Sequence, residues 1–387
     1  MRYKSPLNIY VVWHEEFLQG KEIAEHIYSF FTRDIKNPLS RGLNIPVFFR
    51  YKALANGVPL PIALDETIER SMIIALIDQK CLLNSEWRAY IEQLHNVYEN
   101  KETDRKDMHR FIPVAISNAA YKISNSIRRE NFINLYEYEK LEEQKDELII
   151  RVTHELCRLI YSKPRISDIP TSYAGKKLSL FLSYARFDGK TITENIDNYF
   201  NQKTSLNTFF DKKDIPYGYR FDTVIDENLK ESTLLVILTD AYASREWCRW
   251  EVLKAKKYSR PFVIVNAIKE KEDRSFPYLG NGPVCMYKQE SIKIIFHTIL
   301  FETLRFEYAK RLIQNQIEAF DIEKKGLKIM GSPPELLTLL DRTTNSIKVV
   351  VYPDPPLTSE EREILLELDP FEFMTPTTLF TLDKNEL

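Results

Sequence analysis

"LSLFLSYARFDGK", residues 178–190, joins a continuous apolar run to an abrupt series of polar residues. An apolar run of this length predicts a strand that is buried on both faces, as in a parallel sheet covered by helices. Ser183, Tyr184 and Arg186 stand where that strand ends. In open parallel α/β sheets, ligands bind at the carboxyl ends of the strands. The stretch therefore predicts an α/β fold with a ligand-binding edge, although an ordinary strand-to-helix turn would also explain these residues taken alone.

Working outward, further strand-like runs alternate with helical patterns through the second half of the chain. The predicted strands are "LNTFF", "TLLVILTD" and "PFVIVNAI", and a long helix, "SIKIIFHTILFETLRFEYAKRLI", closes the series. The first half repeats the same order, with strands "NIYVVW", "IPVFFRY", "MIIALID" and "RFIPVAI". Shared element order, with a tryptophan in the helix after the third strand of each half, indicates a duplicated flavodoxin-like unit.

The chain therefore divides into four predicted parts. We expect a first α/β domain over residues 1–165 and a Pro- and Ser-containing linker over 166–176. A second α/β domain spans 177–315, and a small C-terminal α/β segment with a Pro-rich turn spans 316–387. The fold class is α/β, with two parallel-sheet domains in tandem and a short extension.

Composition narrows the classes of function. The 387 residues include 44% hydrophobic and 28% charged residues with a formal charge of −2, which is globular and offers no basic field for nucleic acid. The four cysteines are far apart, so neither a zinc site nor a disulfide framework is expected. No stretch reaches the ~18 apolar residues of a membrane span. We expect a cytoplasmic protein without a metal and without a membrane partner.

The second half carries a further polar stretch, "SREWCRWE", residues 244–251. Ser244 is a plausible helix N-cap, and Cys248, Val252 and Ala255 have the spacing of a core-facing stripe. Trp247 and Glu251 are four residues apart on a neighbouring stripe. A partly desolvated carboxylate in that position would interact strongly with a developing cation, whereas a salt-bridged surface glutamate is the alternative.

Between these stretches lies a long polar and aromatic loop, "FFDKKDIPYGYRF", residues 209–221. Asp211 follows the strand, Gly218 offers backbone freedom, and Phe221 opens the next helix. Aromatic residues over a strand end could stack on a nucleobase or a nicotinamide, or they could serve self-association.

Together, the three stretches resemble the Toll/interleukin-1 receptor (TIR) domain, particularly its bacterial enzymatic branch. The resemblance covers about residues 176–315 and implies cleavage of NAD⁺, a substrate rather than a cofactor, at the nicotinamide–ribose bond. It implies that Glu251 is the catalytic residue and that Ala185 departs from the family, because some relatives carry a basic residue there. The substrate-binding residues that we expect are Ser183, Tyr184, Arg186, Asp211, Ile215, Gly218, Phe221, Ser244 and Trp247.

Cleavage of a pyridinium N-glycosidic bond releases a neutral nicotinamide, so one carboxylate that stabilises the ribosyl cation suffices. The resemblance further implies an immune effector that a protein or nucleotide trigger activates by homo-oligomerisation, giving ADP-ribose or a cyclic ADP-ribose-type product. Two alternatives stay open: a non-enzymatic TIR scaffold and a nucleoside deoxyribosyltransferase-like enzyme.

The first half serves as an internal comparison. Aligning Trp87 with Trp247 puts Ile91 at the position of Glu251, and Glu92 lies about 100° away around the helix. We therefore expect a TIR-like or distantly flavodoxin-like domain without catalysis that regulates or assembles the protein. Nucleotide binding at its own strand ends, where His14, Glu15 and Glu16 would lie, is the alternative.

Overall fold

The computed structural model describes most of the chain. The described residues are 3–34, 42–54, 57–62, 67–99, 108–161, 178–204, 206–209, 220–339, 347–367 and 371–381, without the side chains of Glu99 and Phe221. The chain divides into two compact units, Met1–Lys176 and Lys177–Leu387.

The described part of unit 1 contains a five-stranded parallel sheet with the order β2-β1-β3-β4-β5. Its strands are β1 (Asn8–Val12), β2 (Val47–Arg50), β3 (Ser71–Ile77), β4 (His109–Ala115) and β5 (Ile133–Asn134). Its helices are α1 (Leu18–Phe31), α2 (Gln79–Leu83), α3 (Ser85–Glu99) and α4 (Leu141–Tyr161). β1 and β3 are entirely buried, as expected for a sheet with helices on both faces.

In unit 2, the described residues form a second five-stranded parallel sheet with the equivalent order, β7-β6-β8-β9-β10. Its strands are β6 (Ser179–Tyr184), β7 (Asn207–Phe209), β8 (Thr233–Leu238), β9 (Phe262–Asn266) and β10 (Val284–Met286). The flanking helices are α5 (Lys190–Lys203), α6 (Phe221–Glu231), α7 (Glu246–Lys257) and α8 (Ile292–Ala319). Both sheets have the flavodoxin-like 2-1-3-4-5 order, which confirms the predicted fold class.

The fifth strand of each sheet was missed because it is too short for a pattern. β5 has two residues and β10 has three, and Val284 and Met286 of β10 are exposed. An edge strand of this length gives neither an apolar run nor a clear alternation.

A small third sheet, with the order β11-β12-β13, follows α8 in the described residues. Its elements are β11 (Leu327–Ile329), α9 (Leu336–Leu339), β12 (Val349–Val351), α10 (Ser359–Leu366), β13 (Glu372–Met374) and α11 (Pro376–Leu379). Thr358 caps α10 in a capping box with Glu361. The small α/β segment that the sequence predicts for this extension is thus present.

Packing against α8 of unit 2 holds the extension in place. Ile313 and Ile317 of α8 share a buried apolar cluster with Val349 and Val351 of β12. A Cβ on Gly331 would lie 2.4 Å from the carbonyl oxygen of Phe306, so only glycine allows the chain to pass α8 this closely.

The extension also reaches α7 through a buried ion pair. Nζ of Lys256 lies 2.8 Å from Oε2 of Glu335, and the lysine side chain is only 3% exposed. The same ammonium donates to the carbonyl oxygen of Gly280 at 3.2 Å and lies 5.1 Å from the ring centre of Phe262. The extension therefore contacts the helix that carries Glu251.

None of the helices in the described residues combines the length and the apolar composition that crossing a membrane requires.

Candidate functional site

Ser183 and Glu251 meet at the carboxyl end of β6. Side chains alternate along a strand, so Ser183 points to the same face as Phe181, which packs in the cluster beneath α7. The Ser183 hydroxyl donates to Oε2 of Glu251 at 2.5 Å. Two residues that the sequence predicts for the site, 68 positions apart, are thus in direct contact.

Glu251 occupies a core position of α7. The buried residues of this helix are Cys248, Glu251, Val252, Ala255 and Lys256. Cys248, Val252 and Ala255 therefore face the core as predicted. A glutamate that is only 9% exposed in such a stripe is unusual, because ionised carboxylates are rarely buried unless donors compensate the lost hydration. Glu251 is therefore not a solvated charge on the surface of the helix.

Tyr242 is a third member of this group, and the sequence analysis missed it. It lies in a 3₁₀ turn, Tyr242–Ser244, after β8 and is fully buried. Its hydroxyl is 2.6 Å from Oγ of Ser183 and 3.3 Å from the carbonyl oxygen of Cys248. Because Ser183 donates its only hydroxyl proton to Glu251, Tyr242 is the donor in the shorter contact. A hydrogen-bond chain thus runs from Tyr242 through Ser183 to Glu251.

Electrostatics keep this chain oriented. Burial raises the pKa of Tyr242 well above its ordinary value, and Cys248 and Glu251 raise it further, whereas the hydrogen bond with Ser183 lowers it. The phenol therefore keeps its proton at neutral pH and remains a donor. Burial likewise raises the pKa of the Cys248 thiol, which donates to the carbonyl oxygen of Tyr184 at 3.4 Å.

Asp188 fixes the turn that carries Tyr242. Its Oδ1 accepts from the Thr239 hydroxyl at 2.7 Å, and its Oδ2 accepts from the Ala241 backbone N–H at 2.9 Å. The loop after β6 is thereby joined to the loop after β8. Asp188, one of the polar residues that follow β6, therefore has a structural role.

The remaining predicted residues have different surroundings. Tyr184 is half-buried, whereas Arg186 and Ser244 are exposed. Trp247 is 47% exposed and meets Trp250 edge to face at 5.4 Å. Asp211, Ile215 and Gly218 lie outside the described residues, as does the side chain of Phe221, which begins α6.

The predicted N-cap role of Ser244 is wrong. α7 begins at Glu246, and its N-cap is Arg245, which makes no side-chain capping bond. Ser244 ends the preceding 3₁₀ turn, and its hydroxyl donates back to the carbonyl oxygen of Ala241 at 2.7 Å. Because the 3₁₀ turn continues through Ser244, the N-cap of α7 lies one residue later than the sequence predicts.

Asp226 joins α6 to α7. Its Oδ1 accepts from Nζ of Lys254 at 2.7 Å and from the Tyr258 hydroxyl at 2.5 Å, and Lys230 lies 3.0 Å from its Oδ2. Burial raises the pKa of Asp226, but the hydrogen bonds from these three residues outweigh it and lower the pKa to about 2. Asp226 is thus ionised at neutral pH and holds the helix after the 209–221 loop against α7.

The buried residues of α3 and α7 align differently from the way the sequence predicts. In α3 the buried residues are Trp87, Tyr90, Ile91, Leu94, His95 and Tyr98. In α7 the same spacing runs Cys248, Glu251, Val252, Ala255 and Lys256. The burial pattern therefore aligns Trp87 with Cys248, not with Trp247, and places Tyr90 rather than Ile91 at the position of Glu251.

The strand end of unit 1 differs in chemistry as well. His14 is buried, accepts from the backbone N–H of Glu16 at 3.2 Å, and packs its ring 4.9 Å from that of Trp87. Glu16 pairs with Lys80 at 2.7 Å on the surface. The exposed Glu15 adds no contact among those described. In the described residues of both units, no three His, Cys, Asp or Glu side chains come together as metal ligands.

Comparison with known proteins identifies the domain that holds the site. Residues 180–282 match the family model of the TIR domain, so unit 2 contains a TIR domain. A scan of curated proteins gives no match. Among solved structures, the TIR domains in "Structure of the activated Roq1 resistosome directly recognizing the pathogen effector XopQ" are similar, at 20% identity over 23% of this chain and a TM-score of 0.21. PH0766 from Pyrococcus horikoshii OT3 is similar at 8% identity over 78% of this chain, with a TM-score of 0.29. The matches span 58% and 66% of those two chains.

Proposed function

We propose that the TIR domain of this chain cleaves NAD⁺ at the nicotinamide–ribose bond, with Glu251 as the catalytic carboxylate. The observation that carries the proposal is a buried glutamate at the carboxyl end of the central strand, held by a hydroxyl from Ser183. The match of residues 180–282 to the TIR domain supports it, because that family includes NAD-cleaving enzymes.

The chemistry requires few groups. Heterolysis of the bond between C1′ of the ribose and N1 of the pyridinium leaves both bonding electrons on nitrogen, so nicotinamide departs neutral. The ribose becomes oxocarbenium-like, and a preorganised carboxylate stabilises that charge as it develops. Water then adds to C1′ and loses a proton, giving ADP-ribose, nicotinamide and H⁺. Attack by the adenine of the same molecule would instead give a cyclic ADP-ribose-type product.

The hydrogen-bond chain from Tyr242 through Ser183 orients Glu251 for this role. A fixed carboxylate does not have to reorganise when the cation forms, which is the source of its catalytic effect. The donor also compensates the hydration that the ionised group loses on burial. Trp247 would line the nicotinamide side, while Tyr184, Arg186, Ser244 and the 209–221 loop would complete the substrate site.

We further propose a biological setting. The protein would be a cytoplasmic antiphage or immune effector whose TIR domains assemble into a homo-oligomer when unit 1 receives a protein or nucleotide trigger. The parts proposed are a non-catalytic regulatory domain over 1–165, a linker over 166–176, the catalytic domain over 177–315 and the extension over 316–387.

The test is release of nicotinamide from NAD⁺ by the purified full chain, measured by chromatography and mass spectrometry at dilute and at crowded protein concentrations. Glu251→Gln keeps the size of the side chain and removes the charge, so release should fall by at least about 100-fold. Glu246→Gln is the matched control, because Glu246 is an exposed glutamate on the same helix, and activity should be unchanged.

Equal release by wild type and Glu251→Gln would refute the proposal, as would no release under any assembly condition. In the second case, loss of assembly on substitution at Gly218 would point to the scaffold alternative. Turnover of deoxynucleosides instead of NAD⁺ would point to the deoxyribosyltransferase alternative.

A further inference from the structure

Phe187 is an exposed aromatic side chain beside the proposed catalytic site. It follows Arg186 in the loop after β6, and it is 81% exposed. Phe187 does not belong to the apolar cluster beneath α7, and it is the most exposed phenylalanine among the described residues. Packing therefore does not explain a phenylalanine at this position.

One contact of Phe187 is with a cation. The guanidinium carbon of Arg245 lies 5.8 Å from the centre of the Phe187 ring, within the range of a cation–π interaction. With the guanidinium on one side and the ring 81% exposed, most of the aromatic surface is open to a planar partner. An arginine and an aromatic ring are the pair of groups that recognise a base and its phosphates.

The position of this pair relative to Glu251 suits the far half of a dinucleotide. Phe187 is four residues beyond Ser183, and Arg245 precedes Glu251 by six residues at the start of α7. Six residues correspond to about 9 Å along a helix axis. The pair thus lies on the same edge of the sheet as the carboxylate but is displaced toward the N-terminus of α7, where the helix dipole favours anions.

We propose that Phe187 and Arg245 form a stacking subsite for the adenine half of NAD⁺. With the nicotinamide ribose at Glu251, the pyrophosphate crosses the N-terminal end of α7 and the purine stacks on the open face of Phe187. Arg245 supports the ring from the other side and offsets the pyrophosphate charge. The inference rests on the proposed function, since it assigns one end of that same substrate.

The test compares two substrates that share the scissile bond. Nicotinamide mononucleotide contains the nicotinamide ribose but lacks the adenosine, so only NAD⁺ can use the stacking subsite. Phe187→Ala should raise KM for NAD⁺ by about tenfold or more with kcat nearly unchanged, and should leave the kinetics with nicotinamide mononucleotide unaltered. Phe187→Tyr keeps the aromatic face, so its KM for NAD⁺ should stay within about twofold of wild type.

A control variant separates this effect from a general loss of exposed apolar surface. Ile364→Ala removes a 63% exposed side chain from α10 in the extension and should change neither KM. Arg245→Lys keeps the charge but loses the planar guanidinium, so its KM for NAD⁺ should lie between those of wild type and Phe187→Ala.

Several outcomes would overturn the inference. If Phe187→Ala leaves KM for NAD⁺ unchanged, the subsite is refuted while the proposed function stands. An equal rise of KM for NAD⁺ and for nicotinamide mononucleotide would also refute the subsite. A changed oligomer size on gel filtration, with unaltered KM at matched oligomer, would instead assign Phe187 to a protein contact. If the wild type releases no nicotinamide, calorimetric titration of NAD⁺ into wild type and Phe187→Ala decides, and equal affinities or no binding would refute the subsite.

Discussion

Removal of the Glu335 carboxylate should destabilise the TIR domain of unit 2, although Glu335 lies outside the residues that match the TIR family. Glu335 is an acidic partner of Lys256, whose side chain is only 3% exposed in α7. Glu335→Ala would leave the lysine with two of the described contacts, the carbonyl oxygen of Gly280 and the ring of Phe262. A buried ammonium without its counter-charge loses the attraction that offset its desolvation.

The expected loss in the free energy of unfolding depends on how exposed the Lys256 and Glu335 side chains are. Loss of one partner from a fully buried ion pair costs about 3–5 kcal/mol. Glu335 is 24% exposed, so water reaches its side of the pair, and the Gly280 and Phe262 contacts remain. We therefore expect the free energy of unfolding to fall by about 2–3 kcal/mol. Lys256→Met should cost less than about 1 kcal/mol, because an apolar side chain packs on Phe262 and the remaining carboxylate stays hydrated.

The assay is urea unfolding of the full chain. Hydrogen exchange is measured in peptides from α7, so that unfolding of unit 1 does not contribute to the signal. Glu335→Ala in the Lys256→Met background should cost less than about 0.5 kcal/mol, giving a coupling free energy near 2 kcal/mol. Glu363→Ala, an exposed glutamate of α10 in the same extension, is the control and should have almost no effect. Equal losses from Glu335→Ala with and without Lys256 would refute the reasoning.

Two smaller perturbations test the contacts around α7. Asp226→Asn should lower the free energy of unfolding by about 1 kcal/mol at pH 7, after allowance for solvent screening of the pairs with Lys254 and Lys230. Because the folded pKa of about 2 lies below the unfolded value, the stabilisation is present above about pH 4. The difference from wild type should therefore shrink as pH falls from 4 toward 2 in urea titrations, and a constant difference would contradict the assigned cause. Tyr242→Phe removes the donor to Ser183, so unfolding should become easier by about 1 kcal/mol and kcat for nicotinamide release should fall several-fold at unchanged KM. Circular dichroism and steady-state kinetics measure both, and an unaltered kcat would separate Tyr242 from the catalytic arrangement.

The fold was predictable because its strands are continuous apolar runs. The short turns, including the one that carries Tyr242, were not predictable. The runs that became β1, β3, β6 and β8 are buried along nearly their whole length, so both their class and their parallel packing follow from composition. The pairing of Ser183 with Glu251 was predictable in outline, because both are polar positions beside apolar stripes at one edge of the sheet. Tyr242 gave no such signal, since a tyrosine in a turn after a strand is equally compatible with exposure.

The helix register shows a second limit of sequence comparison. Two similar sequence patterns, "SEWRAYIE" and "SREWCRWE", favour alignment of Trp87 with Trp247. The burial of the side chains gives a different alignment. Trp87 fills a buried position in unit 1, whereas in unit 2 Trp247 is exposed and the smaller Cys248 is the buried residue. Packing volume and burial, which similarity of letters does not report, set the register.

The corrected register shows how the two units diverge at one place in a shared fold. Val12 of β1 pairs with the residue two positions before the end of β3, and Ser183 of β6 pairs with the residue two positions before the end of β8. Val12 and Tyr90 in unit 1 therefore stand where Ser183 and Glu251 stand in unit 2. Tyr90 needs only one acceptor and donates to the carbonyl oxygen of Leu60 at 2.9 Å, so an apolar valine beside it is satisfactory. A carboxylate in the same position needs a hydroxyl donor from the strand, and the serine supplies it. Because the two substitutions make sense only as a pair, we expect the chemistry proposed for unit 2 to be absent from unit 1.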